Sequence, residues 1–101
     1  MGCTNFQYLG IYEDAINDAI DTCEAALKQV GGEDDIDDMN EDALYRLKEC
    51  GSFDDITNSI ISAYFSTMEY FIKKYKPDAD VDYYVNGDDS HLYIDREEVY
   101  A

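Results

Sequence analysis

The chain has 101 residues, of which 24 are Asp or Glu and seven are Lys or Arg, so its formal net charge is −17. Because 46% of the residues are hydrophobic and ten are tyrosines, the composition excludes a disordered acidic tail and predicts one acidic domain over residues 1–101. The same charge repels nucleic acid and anionic lipid, which argues against direct nucleic-acid binding and against membrane association.

The first predicted element is a helix over about residues 11–30. Apolar residues recur through this segment at three- and four-residue spacing, and Gly31 follows it, as expected of a glycine after a helix C-terminus. Asp14, Asp18 and Asp21 occupy consecutive turns of the outer face, so neighbouring carboxylates lie about 5–6 Å apart. Like charges at this spacing cost some helix stability and therefore indicate a working surface.

Residues 33–42 contain seven acidic residues in ten positions and are interpreted as a loop leading to a second helix. Asp38 and Glu41 fit a capping box, which predicts that this helix covers about residues 39–50. The residues expected to face inward are Met39, Ala43, Leu44, Leu47 and Cys50.

A third helix is predicted over about residues 53–75, with Ser52 and Asp55 at its start and Pro77 beyond its end. Apolar residues cover most of its circumference, so we expect it to be the central and most buried helix. Its last turn carries lysines, which the helix dipole favours there.

The C-terminal segment changes from a helical to an alternating pattern and predicts a β-hairpin over about residues 80–85 and 90–95. A two-residue Asn86-Gly87 turn would mix apolar and polar side chains on each face, whereas a four-residue loop keeps the apolar ones together. The pairs expected in that register are Tyr83 with Leu92 and Val81 with Ile94. The predicted fold class is therefore α+β, with three helices followed by an antiparallel hairpin.

Catalytic chemistry has little support in this sequence, so no catalytic residue, no enzyme activity and no cofactor is predicted. His91 is the one histidine and is expected on the outer face of the hairpin, beside Tyr84 and Tyr93. No serine lies in a nucleophile elbow, and no glycine-rich phosphate loop is present.

Metal binding is also weakly supported. Asp78, Asp80 and Asp82 have the spacing of the first three ligands of a calcium-binding loop, and Asp89 falls at its twelfth position. The sixth position, where glycine is required, holds Tyr83. No metal site is predicted, and a calcium-binding module is retained as an alternative.

The three cysteines form neither a disulfide nor a zinc pattern, and no stretch reads as a membrane span or signal peptide. We therefore expect a cytoplasmic protein in a reducing compartment.

The acidic residues are unevenly distributed. Twelve of the 24 lie between Glu13 and Asp42, and eight more lie from Asp78 onward, on either side of the apolar third helix. Duplex DNA carries one charge per 1.7 Å, so 17 charges correspond to about 29 Å of duplex, close to the expected width of the domain. Such a surface attracts a basic partner over distance.

The segments Asp-Asp-Ile-Asp-Asp (34–38) and Phe-Asp-Asp-Ile (53–56), ahead of an aromatic helix, resemble phage-encoded DNA-mimic inhibitors of the antirestriction and anti-CRISPR type. The resemblance implies a non-enzymatic inhibitor in the host cytoplasm that fills the basic DNA-binding groove of a Cas effector or restriction enzyme. Its expected partner-binding residues are Asp14, Asp18, Asp21, Glu24, Asp34, Asp35, Asp37, Asp38, Asp88 and Asp89.

Several other interpretations remain open at this point. An acidic partner of a small basic protein, such as an antitoxin, would have the same charge, and so would a domain from a high-salt organism. Both a monomer and a homodimer are compatible with the sequence. Tyr84, Tyr93 and Tyr100 are candidate anchors at an interface, whereas packing within the hairpin is favoured for Tyr83.

Overall fold

The computed structural model describes residues 13–48 and 56–101, which form three helices and a three-stranded antiparallel sheet and confirm the α+β class. The helices are α1 (Glu13–Gln29), α2 (Ile36–Lys48) and α3 (Ile56–Tyr75), and a 3₁₀ segment (Glu33–Asp35) precedes α2. The strands are β1 (Val81–Tyr84), β2 (His91–Ile94) and β3 (Glu97–Glu98), in the order β1-β2-β3. None of the described helices is long and apolar enough to cross a membrane.

Helix α3 is the centre of the fold, as its apolar circumference predicts. Both α1 and α2 pack against it, and β1 covers part of its length. Ile61, Phe65, Met68 and Ile72 are almost completely buried along this helix. Since the two acidic helices flank one apolar helix, their polar faces are left for solvent.

The C-terminus of α1 is closed by two glycines. The Gly31 N–H donates to the carbonyl of Lys28 at 3.1 Å, and the Gly32 N–H donates to the carbonyl of Leu27 at 2.8 Å, which is the Schellman pattern. Gly31 has φ +81°, a conformation that favours glycine. A Cβ at Gly32 would lie 2.7 Å from the Tyr75 ring, so this glycine also allows the chain to pass close to α3.

The second helix begins earlier than the sequence predicts. Residues 33–42 are not a loop: the 3₁₀ segment leads directly into α2 at Ile36, so Asp38 lies inside the first turn and is not a cap. Carboxylates are favourable in the first turn because they face the positive end of the helix dipole. The density of acidic residues therefore marks the start of a helix in this chain.

Leu44 corrects the predicted inner face of α2, since half of its surface is exposed while Met39 and Ala43 are fully buried. The reason is that α2 packs on α3 along a narrow stripe, and Leu44 lies about 100° around the helix from Ala43. The other predictions that lie outside the described residues are the side chain of Leu47, Cys50, the start of the third helix with Ser52 and Asp55, and the N-terminal turn at 11–12. Cys23 is fully buried, as expected of a core thiol.

The hairpin has the predicted register, with Val81 opposite Ile94 and Tyr83 opposite Leu92. Tyr83 fastens it to α3, because its ring meets Phe65 edge-on at 5.7 Å and its hydroxyl shares a 2.9 Å hydrogen bond with Ser66. Packing within the fold is thus confirmed for Tyr83.

The third strand was not predicted. It pairs Glu97 with Ile94 and Glu98 with Tyr93 through a two-residue turn, Asp95-Arg96, in which both residues have positive φ values of 52° and 71°. These angles match the hairpin turn that normally selects Asn-Gly. The Asp95 carboxylate supports the turn, because it accepts the Asp80 N–H at 3.0 Å and pairs with Lys76.

Replacing Arg96 by glycine should raise the free energy of unfolding by about 0.5–1 kcal/mol, since glycine removes the cost of a left-handed side-chain-bearing residue. Urea denaturation of Arg96→Gly measures the change. The neighbouring variant Asp95→Gly should instead lower stability, because it deletes the carboxylate that holds Asp80 and Lys76. A destabilised Arg96→Gly would show that the Arg96 side chain contributes more than its backbone costs.

Candidate partner-binding surface

The fold brings together two acidic groups that are distant in sequence. The start of α1 and the β1–β2 loop border one open cleft of about 550 Å³. The residues that line it are Asp14, Ala15, Asn86, Gly87, Asp88 and Asp89. Carboxylates separated by more than 70 positions therefore share one surface, which no local sequence pattern reveals.

The β1–β2 loop is held in place by hydrogen bonds from within the loop and from α3. The Gly87 N–H donates to the Asn58 side-chain carbonyl at 2.6 Å, and Gly87 has φ +58°. The Asp89 N–H donates to the Asn86 carbonyl at 3.0 Å, and the Ser90 hydroxyl donates to the Gly87 carbonyl at 2.7 Å. The carboxylates of this loop thus project from an ordered turn.

The outer stripe of α1 extends this surface along the molecule. Asp14, Asp18 and Asp21 are all exposed, and within the described chain none of them forms an ion pair. The helical rise spreads them over about 10 Å. We call the set Asp14, Asp18, Asp21, Asp88 and Asp89 the anionic face. Glu24 lies beyond its end, half-buried, in a shallow depression with Asp21 and Lys28.

A second group of acidic residues lies on α2 and the 3₁₀ segment. Asp34, Asp37 and Asp38 are exposed there, as the sequence predicts. Asp38 borders a depression of about 280 Å³ that also includes Lys74 and Tyr70 of α3. Lys74 contributes a positive charge beside this second group, as Lys28 does beside Asp21 of the anionic face.

Asp35 has a different position from the other predicted binding residues. Its carboxylate accepts hydrogen bonds from Lys74 at 2.8 Å and from the Tyr75 hydroxyl at 2.7 Å. These two bonds, first the one from Lys74, lower the pKa of Asp35, and the carboxylate in turn raises the pKa of both partners. Asp35 therefore joins the 3₁₀ segment to the end of α3, and a partner would have to compete for it.

His91 bridges two carboxylates on the outer side of the sheet. Its Nδ1 lies 2.6 Å from Glu98 Oε2, and its Nε2 lies 2.8 Å from Asp89 Oδ1. Since ionised carboxylates only accept, the two contacts are both hydrogen bonds only when both ring nitrogens carry a proton, so this arrangement favours the imidazolium form. The hydrogen bonds that the ring donates, first to Glu98 and then to Asp89, raise the pKa of His91. The rings of Tyr84 and Tyr93 lie near it, with centroids 6.5 and 6.3 Å from that of His91.

The stabilising effect of His91 should depend on pH. Because its folded pKa is raised above the unfolded value of about 6.5, the contribution is complete below that value and is lost as pH rises through the folded pKa. The stability difference between the natural chain and His91→Gln should therefore shrink from pH 5.5 to pH 9 in urea denaturation. A difference that stays constant over this range would contradict the imidazolium bridge.

The segment that resembles a calcium loop forms a different structure. Val81–Tyr84 is a paired strand, and the Asp82 carboxylate accepts the Tyr83 N–H at 2.9 Å. Within residues 13–48 and 56–101, no group of three or more His, Cys, Asp or Glu side chains could hold a metal ion. Nothing in this geometry therefore favours the calcium alternative.

Sequence reasoning placed His91 and Tyr84 correctly on the outer face but missed Glu98. Asp89 lies only two residues before His91, in the loop that leads into β2, so this contact is local in the sequence. Glu98 reaches His91 only through the third strand, which has no local signature. Of the two carboxylates that contact His91, only Asp89 could therefore be inferred from the sequence.

Comparison with known proteins supplies no relative: no protein-family model, no curated protein and no solved structure matches this chain.

Proposed function

We propose that this chain is a non-enzymatic inhibitor that imitates nucleic acid and occupies the basic DNA-binding groove of a host defence nuclease, a restriction enzyme or a CRISPR effector. The observation that carries the proposal is the anionic face, in which α1 and an ordered loop combine their carboxylates around one cleft. Carboxylates and phosphates bind the same Lys and Arg side chains through charge-assisted hydrogen bonds.

The charge density of the molecule supports this proposal. Its long axis measures 40 Å and its net charge is −17, which amounts to about one charge per 2.4 Å. Duplex DNA has about one charge per 1.7 Å. The chain therefore approaches the linear charge of DNA within a factor of about 1.5.

The lack of internal neutralisation supports it as well. Of the anionic face, only Asp89 has an ion-pair partner within the described chain, namely His91. The lysines at the end of α3 bind other acids, Glu69, Asp35 and Asp95. Asp34, Asp37 and Asp38 of the second acidic group are also exposed without an ion-pair partner in the described chain, so the uncompensated charge extends over both groups. Uncompensated charge on a folded domain is unfavourable, and its retention is typical of a binding role.

The proposal is tested by capture and competition. The chain is immobilised, a bacterial lysate is passed over it at low salt, and bound proteins are challenged with a DNA duplex of about 24 base pairs, about twice the 40 Å axis at 3.4 Å per pair. We expect the duplex to release a nuclease at concentrations at which polyglutamate of equal total charge does not. The nuclease should then lose DNA cleavage competitively when the chain is added.

Equal release by DNA and polyglutamate would contradict mimicry, because any polyanion would then serve. A small basic protein that stays bound in the presence of duplex would instead support the acidic-partner alternative. Rising salt should weaken a true DNA-groove complex steeply, since both surfaces release or exchange counterions on binding.

A further inference from the structure

The outer side of the sheet carries aromatic and acidic side chains in alternating positions. Cross-strand pairs are Asp82 with Tyr93, Tyr93 with Glu98, and Tyr84 with His91. The Val99 N–H donates to the Leu92 carbonyl at 2.8 Å, which continues the register and places Tyr100 opposite His91. Two rows result, and we call them the sheet face: Asp82, Tyr93 and Glu98 in one, and Tyr84, His91 and Tyr100 in the other.

The aromatic rings of the sheet face are available to a partner. Tyr84 is 52% exposed and Tyr100 is 75% exposed, and Tyr93 is partly exposed between them. Cross-strand neighbours lie about 4.5–5.5 Å apart at Cβ, so each of the paired tyrosines has a carboxylate or the histidine beside it. The Tyr100 hydroxyl donates to Glu98 Oε1 at 3.2 Å, which links the two rows.

His91 shows how this surface accommodates a planar cation. Its ring stacks on Tyr84 with centroids 6.5 Å apart and planes 19° apart, while both nitrogens donate to carboxylates. A guanidinium has the same requirements: an aromatic plane against its face and carboxylate oxygens at its edge. The fold thus already contains one example of the contact, formed by its own residue.

We propose that the sheet face is a docking site for arginine side chains of a basic protein segment. A guanidinium stacks on the exposed ring of Tyr84 or Tyr100 and donates to an acid of the neighbouring row. The inference rests on the proposed function for the biological identity of that segment, which would be the rim of the DNA-binding groove. Asp89 of the anionic face is hydrogen-bonded to His91 of the sheet face, so the two surfaces adjoin and one partner can contact both.

Charge complementarity selects this occupant over the alternatives. A second copy of the chain would bring Asp82 and Glu98 against their own counterparts, and like charges oppose pairing. A nucleic acid would meet the same repulsion despite the available rings. Lysine satisfies the carboxylates but presents no plane to stack, so arginine gains more from this arrangement.

The test uses two synthetic peptides of equal length and charge, one of repeating Gly-Arg and one of repeating Gly-Lys. Binding is followed by NMR of ring-labelled tyrosines in the full chain. We expect the Gly-Arg peptide to bind about 2- to 5-fold more tightly, the ratio that a cation–π contact of about 0.5–1 kcal/mol produces. Ring signals of Tyr84, Tyr93 and Tyr100 should shift.

The chain provides its own matched control. Tyr45 and Tyr70 are 66% and 60% exposed on α2 and α3, away from the sheet face. Tyr70 has Lys74 beside it as well as the carboxylates of α2, and neither ring has a second exposed tyrosine in a cross-strand row, so both should shift less than the tyrosines of the sheet face. The variant Tyr84→Ala/Tyr100→Ala should lose the preference for arginine, whereas Tyr45→Ala/Tyr70→Ala should keep it. Equal affinity for the two peptides, or equal shifts at Tyr45 and Tyr70, would overturn the proposal.

The experiments distinguish a failure of the arginine-docking proposal from a failure of the proposed inhibitor function. The peptide experiment needs no natural partner, so an arginine preference can be established even if DNA fails to release any captured nuclease. Conversely, consider a captured nuclease that DNA releases and whose dissociation rate from Tyr84→Ala/Tyr100→Ala equals that from the natural chain. That result would support the inhibitor function and would show that the sheet face is not part of the interface. Anchor contacts of this kind act mainly on dissociation, whereas uniform charge acts on association.

Discussion

Association with a captured DNA-binding partner should slow by about 10- to 100-fold at low salt when Asp14, Asp18, Asp21 and Asp88 are replaced by asparagine. These residues steer a basic surface from a distance, and the effect should shrink at high salt because exposed charges are screened. Asp89 is left intact since it holds His91. Association rates measured by biolayer interferometry over a range of salt concentrations provide the comparison.

A matched variant removes the same number of charges from the other acidic group: Asp34, Asp37, Asp38 and Asp42 to asparagine, all exposed on α2 or the segment before it. Both variants have a net charge of −13, since four of the 17 excess charges are lost. If the two slow association equally, total charge decides the rate and the anionic face has no special role. We expect the α2 variant to retain most of the natural rate.

The two variants should differ in their free energy of unfolding. Asp18 and Asp21 lie inside α1, where like charges one turn apart repel, so neutralising them should leave the fold equally stable or more stable. Asp37 and Asp38 occupy the first turn of α2, where the helix dipole favours them, so their loss should be destabilising. A slower association without a loss of stability would separate the binding role of the anionic face from a structural one.

The sequence predicts the parts of this fold that depend on local spacing. The register of β1 and β2 follows from the need to put Val81, Tyr83, Leu92 and Ile94 on one face. The end of α1 follows from a glycine that takes a positive φ. In each case the residues that decide the structure lie within one hairpin or one helix end.

The features that were missed depend on residues far apart in the chain. Asp35, just before α2, is hydrogen-bonded to Lys74 and Tyr75, some 40 positions later. Without knowledge of these contacts, the acidic segment before α2 has the composition of a loop. The third strand is two residues long and follows a turn without glycine. For the candidate site, the individual acids on α1 and the loop were predictable, whereas their meeting at one cleft was not.

Replacing Phe65 by alanine should lower the free energy of unfolding by about 3–5 kcal/mol. Phe65 is 1% exposed, lies on the central helix and meets the Tyr83 ring edge-on, so its loss leaves a cavity where α3 supports the hairpin. The free energy of unfolding of a natural domain is about 5–15 kcal/mol in total. Repulsion within a chain of net charge −17 lowers that free energy further. Urea denaturation followed by circular dichroism measures the change.

Two controls identify the mechanism behind that loss. Phe65→Leu keeps most of the volume and should cost less than about 1.5 kcal/mol, whereas Tyr45→Ala removes an aromatic ring that is 66% exposed and should cost no more than about 0.5 kcal/mol. If Phe65→Ala were no worse than Tyr45→Ala, the core would not be organised around α3. The rigidity of the hairpin depends on the same packing, so the Tyr83 ring signal should broaden in Phe65→Ala even below the unfolding transition. Because the sheet face and the loop bearing Asp88 are both built on that hairpin, a loosened core should weaken partner binding without removing a single surface charge.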